Sequence, residues 1–171
     1  MKNKPLKLSK KILFIAVAIA AVAISVVLIF ALKGGGNEYP DKISTLEQLN
    51  DEGKYEEAQK AANDILDMNP GNDTKADALW ELSIAESAQA RSYQEQGQTD
   101  MAQEKFNKAI EHAKSMQELD SPGSHYLLGL IYIDKADYKN AIQELTLAKQ
   151  QSPYLKDEVD QYLTPLQEMV N

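Results

Sequence analysis

From residue 41 to the C-terminus, apolar residues return at three- and four-residue steps in stretches separated by short polar turns, the spacing of helices that each bury one face. Ile43, Leu46 and Leu49 form the first stripe, Gly53 marks a turn, and Tyr55, Ala58, Ala62 and Ile65 form a returning stripe. The clearest pair lies later: Leu128, Gly129, Tyr132 and Ala136 share one face, and Tyr138, Ala141, Ile142, Leu145 and Ala148 share the next, with Pro153 closing the second helix. A turn is expected near Ala136 and Asp137. Gly129 is costly in a helix interior, so its expected use is to let a neighbouring helix approach closely.

Between these hairpins lies a longer one. Leu79, Trp80 and Leu82 open its first helix, Ala90 and Tyr93 lie near its end, and Gly97 marks the turn. Ala102, Phe106, Ala109, Met116 and Leu119 line the returning helix. The chain repeats itself: Tyr55-x-x-Ala58 with Pro70 twelve residues on parallels Tyr138-x-x-Ala141 with Pro153 twelve on. The spacing predicts hairpins over about 41–70, 74–119 and 121–153, then a terminal helix over 154–170 carrying Leu155, Val159, Tyr162, Leu163, Leu166 and Met169 on one broad face. Pro165 lacks an amide donor and disfavours a helical residue before it, so a kink or break near Thr164 is expected. Thr74-x-x-Asp77 has the form of a capping box opening the long helix.

The residues of the third hairpin resemble the tetratricopeptide repeat family, whose pattern runs Leu-Gly, Tyr, Ala, a bulky residue, Ala and Pro. Leu128 and Gly129 match the Leu-Gly pair, and Tyr132, Ala141, Leu145, Ala148 and Pro153 match the later positions. His125 stands where the family often has Trp, and Ala136 where a turn glycine is usual. The intervals from Ala58 to Ala102 and from Ala102 to Ala141 are 44 and 39 residues, against a family period of about 34, so the middle hairpin is expected to be extended. The resemblance implies an all-α, tetratricopeptide-like α-solenoid of three helical hairpins plus a C-terminal capping helix that covers the last apolar surface.

Composition adds a membrane segment and a charge asymmetry. Ile12 to Leu32 is 21 residues without a charge, about 31 Å as a helix and enough for one hydrocarbon core. Cleavage after Ala21-Val22-Ala23, as in a signal peptide, would leave an exposed apolar start, and the run exceeds a signal peptide's apolar core, so an uncleaved transmembrane helix is expected. Lys2, Lys4, Lys7, Lys10 and Lys11 precede it and Lys33 follows, which places the tail of residues 1–11 in the cytoplasm. Residues 33–40 then form a linker around Gly34-Gly35-Gly36, and the domain of residues 41–171 is expected outside the cytoplasm. All six of those lysines lie in a segment without an acid, which leaves 12 Lys and Arg against 26 Asp and Glu, a net of −14, in the remainder. Such a surface repels phosphates and argues against nucleic acid as a partner. With no cysteine in the chain, neither disulfides nor a thiolate metal site is possible.

Candidate chemistry is sparse. His112 and His125 lie in different hairpins with no second ligand one turn away, which favours structural roles. Asp67-x-Asn69-x-Gly71 begins like a calcium loop, yet Asn72 stands where the required glycine would be and Ala78 where the bidentate glutamate would be. Asn72-Asp73-Thr74 has the form of a glycosylation acceptor. No nucleophile or phosphate-loop signature occurs, so an enzyme is not expected and no cofactor is assigned.

By resemblance, the first helices of the hairpins line a protein-binding groove. That groove would present Glu47, Asn50 and Asp51, then Arg91, Gln94 and Glu95, then Tyr126, Leu130, Ile133 and Asp134. The carboxylate clamp of chaperone-binding family members is not matched, since Ile43, Glu47, Ala88, Ser124 and Leu127 fill its positions. Tyr126, Leu130 and Ile133 form an apolar strip there, or else pack against Leu155 and Val159 of the terminal helix. The expected function is a membrane-tethered adaptor or assembly factor for envelope or exported polypeptides with basic or apolar segments. The alternative is a structural, self-associating subunit of an envelope complex.

Overall fold

The computed structural model describes residues 39–170. Among them every regular element is a helix: α1 (Pro40–Asp51), α2 (Tyr55–Asp67), α3 (Asn72–Glu95), α4 (Thr99–Gln117), α5 (Ser124–Asp134), α6 (Tyr138–Gln151), a 3₁₀ turn (Pro153–Leu155) and α7 (Lys156–Val170). Sequential helices pack on one another as the pairs α1 and α2, α3 and α4, and α5 and α6. The first helices of neighbouring hairpins also touch, α1 against α3 and α3 against α5, while α7 lies chiefly on α6. This is the arrangement of a tetratricopeptide-like solenoid. The expected transmembrane segment, basic tail and most of the linker lie outside the described residues, among which no helix is long and apolar enough to cross a membrane.

The three hairpin turns are built alike. Gly53, Gly97 and Ala136 adopt left-handed φ values of 72°, 74° and 60°. Each receives the reversing chain through the same two hydrogen bonds: Gly53 N–H to the Asn50 carbonyl and Lys54 N–H to that of Leu49, then Gly97 to Gln94 with Gln98 to Tyr93, then Ala136 to Ile133 with Asp137 to Tyr132. This motif satisfies carbonyls that a helix end would otherwise leave unpaired. At the third turn, alanine holds a conformation that glycine adopts without a Cβ clash.

Small residues set the distance between paired helices. Ala58, Ala62, Ala102, Ala109, Ala113, Ala141 and Ala148 are all buried. Gly129 is the extreme case, because a Cβ there would stand 2.6 Å from both Cγ and Cδ2 of Leu145 on α6. The close approach expected of Gly129 is therefore made to its own partner helix. At the first hairpin, Leu46 enters a cluster with Ala62, Ile65, Ala78 and Leu82, with Tyr39, Ile43, Ala61 and Leu66 around it.

Aromatic rings extend the core across hairpins. Trp80 of α3 stacks on Tyr126 of α5 with centroids 6.5 Å apart, and Tyr126 meets the edge of Tyr162 from α7 at 6.3 Å. Gly123 leaves room for the indole, since a Cβ there would lie 3.0 Å from Trp80 Cζ3.

Two local expectations are corrected. The long helix starts at Asn72 with Gly71 at its cap and no side-chain capping bond, so Thr74 lies inside the first turn and does not form a capping box. Of the kink or break expected near Thr164, the break does not occur, since helix α7 continues through Pro165. Burial of Val159, Tyr162, Leu163 and Leu166 on one face holds both sides of the proline in register, which outweighs one missing backbone bond.

Two substitutions test this packing by urea denaturation of the purified domain. Ala136→Gly is expected to raise stability by about 0.5 to 1 kcal/mol by relieving the left-handed alanine. Gly129→Ala is expected to lower it by about 1 to 3 kcal/mol, whereas Gly71→Ala, where a Cβ meets nothing within 4 Å, should change it by less than about 0.5 kcal/mol.

Candidate protein-interaction face

The face formed by the first helices divides into residues engaged within the protein and residues left accessible. α3 stands between α1 and α5 and is tied to both by polar contacts. On the α1 side, Asn50 Nδ2 donates to the backbone carbonyl of Glu81 at 3.0 Å and to its Oε2 at 2.8 Å. On the α5 side, Ser87 Oγ donates to Asp134 Oδ2 at 2.9 Å, and Arg91 Nε lies 3.5 Å from the same oxygen. Burial raises the Asp134 pKa, and the Arg91 guanidinium and the Ser87 hydroxyl pull against that shift. An ion taken out of water persists when opposite charge and hydrogen bonds replace the hydration it loses.

These contacts sort the residues named from sequence. Asn50, Arg91 and Asp134 hold helices together. Glu47 is half-buried, Asp51, Gln94 and Glu95 are exposed, and Leu130 and Ile133 remain partly accessible. Tyr126 is a correction: at 1 % exposure it belongs to the core and does not line an open surface. Its ring lies between Trp80 and Tyr162, and burial pushes its phenol pKa well up, so it stays neutral. Tyr126 is thus covered by the terminal helix through Tyr162, while Leu130 and Ile133 keep part of their surface.

Both histidines bridge neighbouring helices. His112 Nδ1 of α4 lies 2.8 Å from Glu86 Oε2 of α3, and His125 Nδ1 of α5 lies 2.7 Å from Glu144 Oε2 of α6, with Gln117 Nε2 of α4 at 3.2 Å from the same nitrogen. Among the described residues no group of three or more His, Asp or Glu side chains is disposed to hold a metal ion. The surface depression at the turn of residues 97–101 involves none of the first-helix residues considered above.

Sequence reasoning missed Glu81 and Glu86, which are buried on α3. A partial signal existed for Glu86, since a histidine elsewhere in an acidic chain readily meets a carboxylate. No such signal marks Glu81.

With this geometry in place, comparison with known proteins adds one match. The tetratricopeptide repeat family matches residues 87–155, from the middle of α3 through α6 to the 3₁₀ turn. The match supports the tetratricopeptide repeat family for this part of the chain, and with it a role in protein–protein interaction. Curated proteins and solved structures yield no match.

The α3–α5 tie generates a double-mutant test. Arg91→Met is expected to destabilise the domain at pH 7 by about 1 kcal/mol. That is less than the roughly 3 to 5 kcal/mol of a fully buried pair, because the arginine is about one-third exposed and water screens it. Adding Asp134→Asn should recover part of the loss in chemical denaturation, and strictly additive effects would show that the two side chains are not coupled.

Proposed function

We propose that the protein is a membrane-tethered adaptor that carries out no chemistry and presents the first-helix face of its repeat domain to other polypeptides outside the cytoplasm. The observation that carries the binding role is the division of that face. Its polar ties run between helices and keep it in shape, while Gln94, Glu95, Asp51, Leu130 and Ile133 stay open to a partner. Partly exposed Leu130 and Ile133 offer apolar contact area, and the acids around them favour a partner segment that is basic, apolar or both. Tethering is supported by the uncharged run from Ile12 to Leu32, and the orientation by the five lysines before it against one after it.

Two measurements test the parts separately. A photo-crosslinking residue at Gln94 in native membranes is expected to trap polypeptides that the same probe at Gln143, exposed on α6, does not. Adducts from Gln143 and none from Gln94 would place binding on the second helices. For orientation, protease added to intact spheroplasts is expected to digest the domain, and digestion only after lysis reverses the topology.

A further inference from the structure

The carboxyl group of Glu81 lacks what the other buried or half-buried paired acids possess. Glu86 has His112, Asp134 has Arg91, Glu144 has His125 and Asp160 has Lys149. Glu81, at 4 % exposure the equal of Glu86, takes part in no ion pair among those of the described residues. Its side-chain partner is the neutral amide of Asn50. The charges acting on it are all negative: Glu47 and Asp51 from α1, and Asp77 one turn earlier on α3. On the other elements packed against α3, the facing groups are already engaged. From α2, Gln59 and Glu56 bond Gln89; from α4, His112 bonds Glu86; from α5, Asp134 meets Ser87 and Arg91.

This site lies on the seam between α1 and α3. Leu46 is the one fully buried residue of α1, with Ile43 partly buried beside it, and the Asn50 to Glu81 bridge is a polar tie from that helix to α3. We propose that this seam is a proton-controlled latch: a protonated Glu81 keeps α1 docked on α3, and its ionisation among Glu47, Asp51 and Asp77 loosens α1 while the later hairpins stay folded.

Burial first, then the neighbouring acids, push the Glu81 pKa from 4.5 to about 7, with the Asn50 hydrogen bond opposing them. Burial and Asp73 push Asp77 to about 6, and burial, Asp77 and Asp51 raise Glu47. The sign follows from linkage. The docked state holds these protons more tightly than the open state does, so docking is strongest below about pH 4.5 and is lost as pH rises through about 7. Release of α1 uncovers Leu46 and the α1-facing surface of α3, at one end of the first-helix face.

Hydrogen exchange of the full-length protein in detergent, read by mass spectrometry as protection corrected for intrinsic rates, tests the latch. Between pH 5 and pH 8.5, amides of residues 43–51 are expected to lose protection at least tenfold, while those of residues 138–151 change less than threefold. Glu81→Gln, which is neutral at every pH and keeps an acceptor for Asn50, should stay protected at pH 8.5. The double change Glu47→Gln with Asp51→Asn leaves Glu81 in place and should shrink the loss at least threefold. Equal protection of residues 43–51 at both pH values overturns the proposal. So does a parallel loss across all helices, and so does a folded Glu81→Gln protein that still loses protection in α1.

Discussion

The packing of paired helices through small residues is the constraint on which the rest of this structure depends. Where Gly129 faces Leu145, not even a methyl group fits, and the other hairpins bury alanines, Ala58, Ala62, Ala102 and Ala109 among them. The larger residues Leu46, Ile65, Phe106 and Leu145 are buried alongside, and their apolar burial stabilises the fold. The turns at Gly53, Gly97 and Ala136 each reverse the chain through one left-handed residue. Helices this close leave little room to reverse direction, and a single left-handed residue does so in the shortest path.

Stacking such hairpins creates a second demand, on the central helix. α3 has neighbours on nearly every side, and its buried residues run almost without interruption from Ala78 to Ala90. Among them are Glu81, Ser83, Glu86, Ser87 and Gln89, polar groups that each need a partner away from water. Ser83 bonds the carbonyl one turn back; the others reach α1, α2, α4 and α5. The polar residues of α3 therefore register four helices against one another, a directional role that apolar contacts do not perform. In a domain region of net charge −14, each carboxylate drawn into such a contact also adds to self-repulsion unless a cation or proton accompanies it.

The end of the array meets a different problem. The last hairpin would leave an apolar face open, and α7 covers it with Val159, Leu163 and Leu166 while Tyr162 reaches past α6 to Tyr126. The ladder from Trp80 through Tyr126 to Tyr162 joins residues from three successive units. It converts what would be a stack of separable hairpins into a continuous body from α3 to α7, and it removes Tyr126 from the surface that partners could touch. The first hairpin has no part in that ladder; it is attached through the cluster of Leu46, Ala62, Ile65, Ala78 and Leu82 and through hydrogen bonds from Asn50 to Glu81 and between Gln89 and the pair Glu56 and Gln59.

Much of this was legible in the sequence because its signals are local. Helical spacing marked the stripes, Gly53 and Gly97 marked turns by their freedom at positive φ, and the recurrence of Tyr-x-x-Ala with a proline twelve residues on marked the repeated unit. Other features were decided by contacts between residues far apart in the chain. Glu81 and Glu86 went unmarked because an amphipathic pattern shows one buried face, and only a helix enclosed on several sides buries the others. Tyr126 read as a groove residue because its helix position points that way, yet Trp80 and Tyr162, 46 and 36 residues distant, close over it. Pro165 read as a kink or break because local backbone chemistry disfavours it within a helix, and the buried face of α7 keeps the helix unbroken across it. The sequence alone determined where helices form and which of their faces are apolar, through short-range sterics and periodicity. Tertiary structure alone decided which polar groups lose water and what compensates them, because that depends on which distant side chains arrive at the same place.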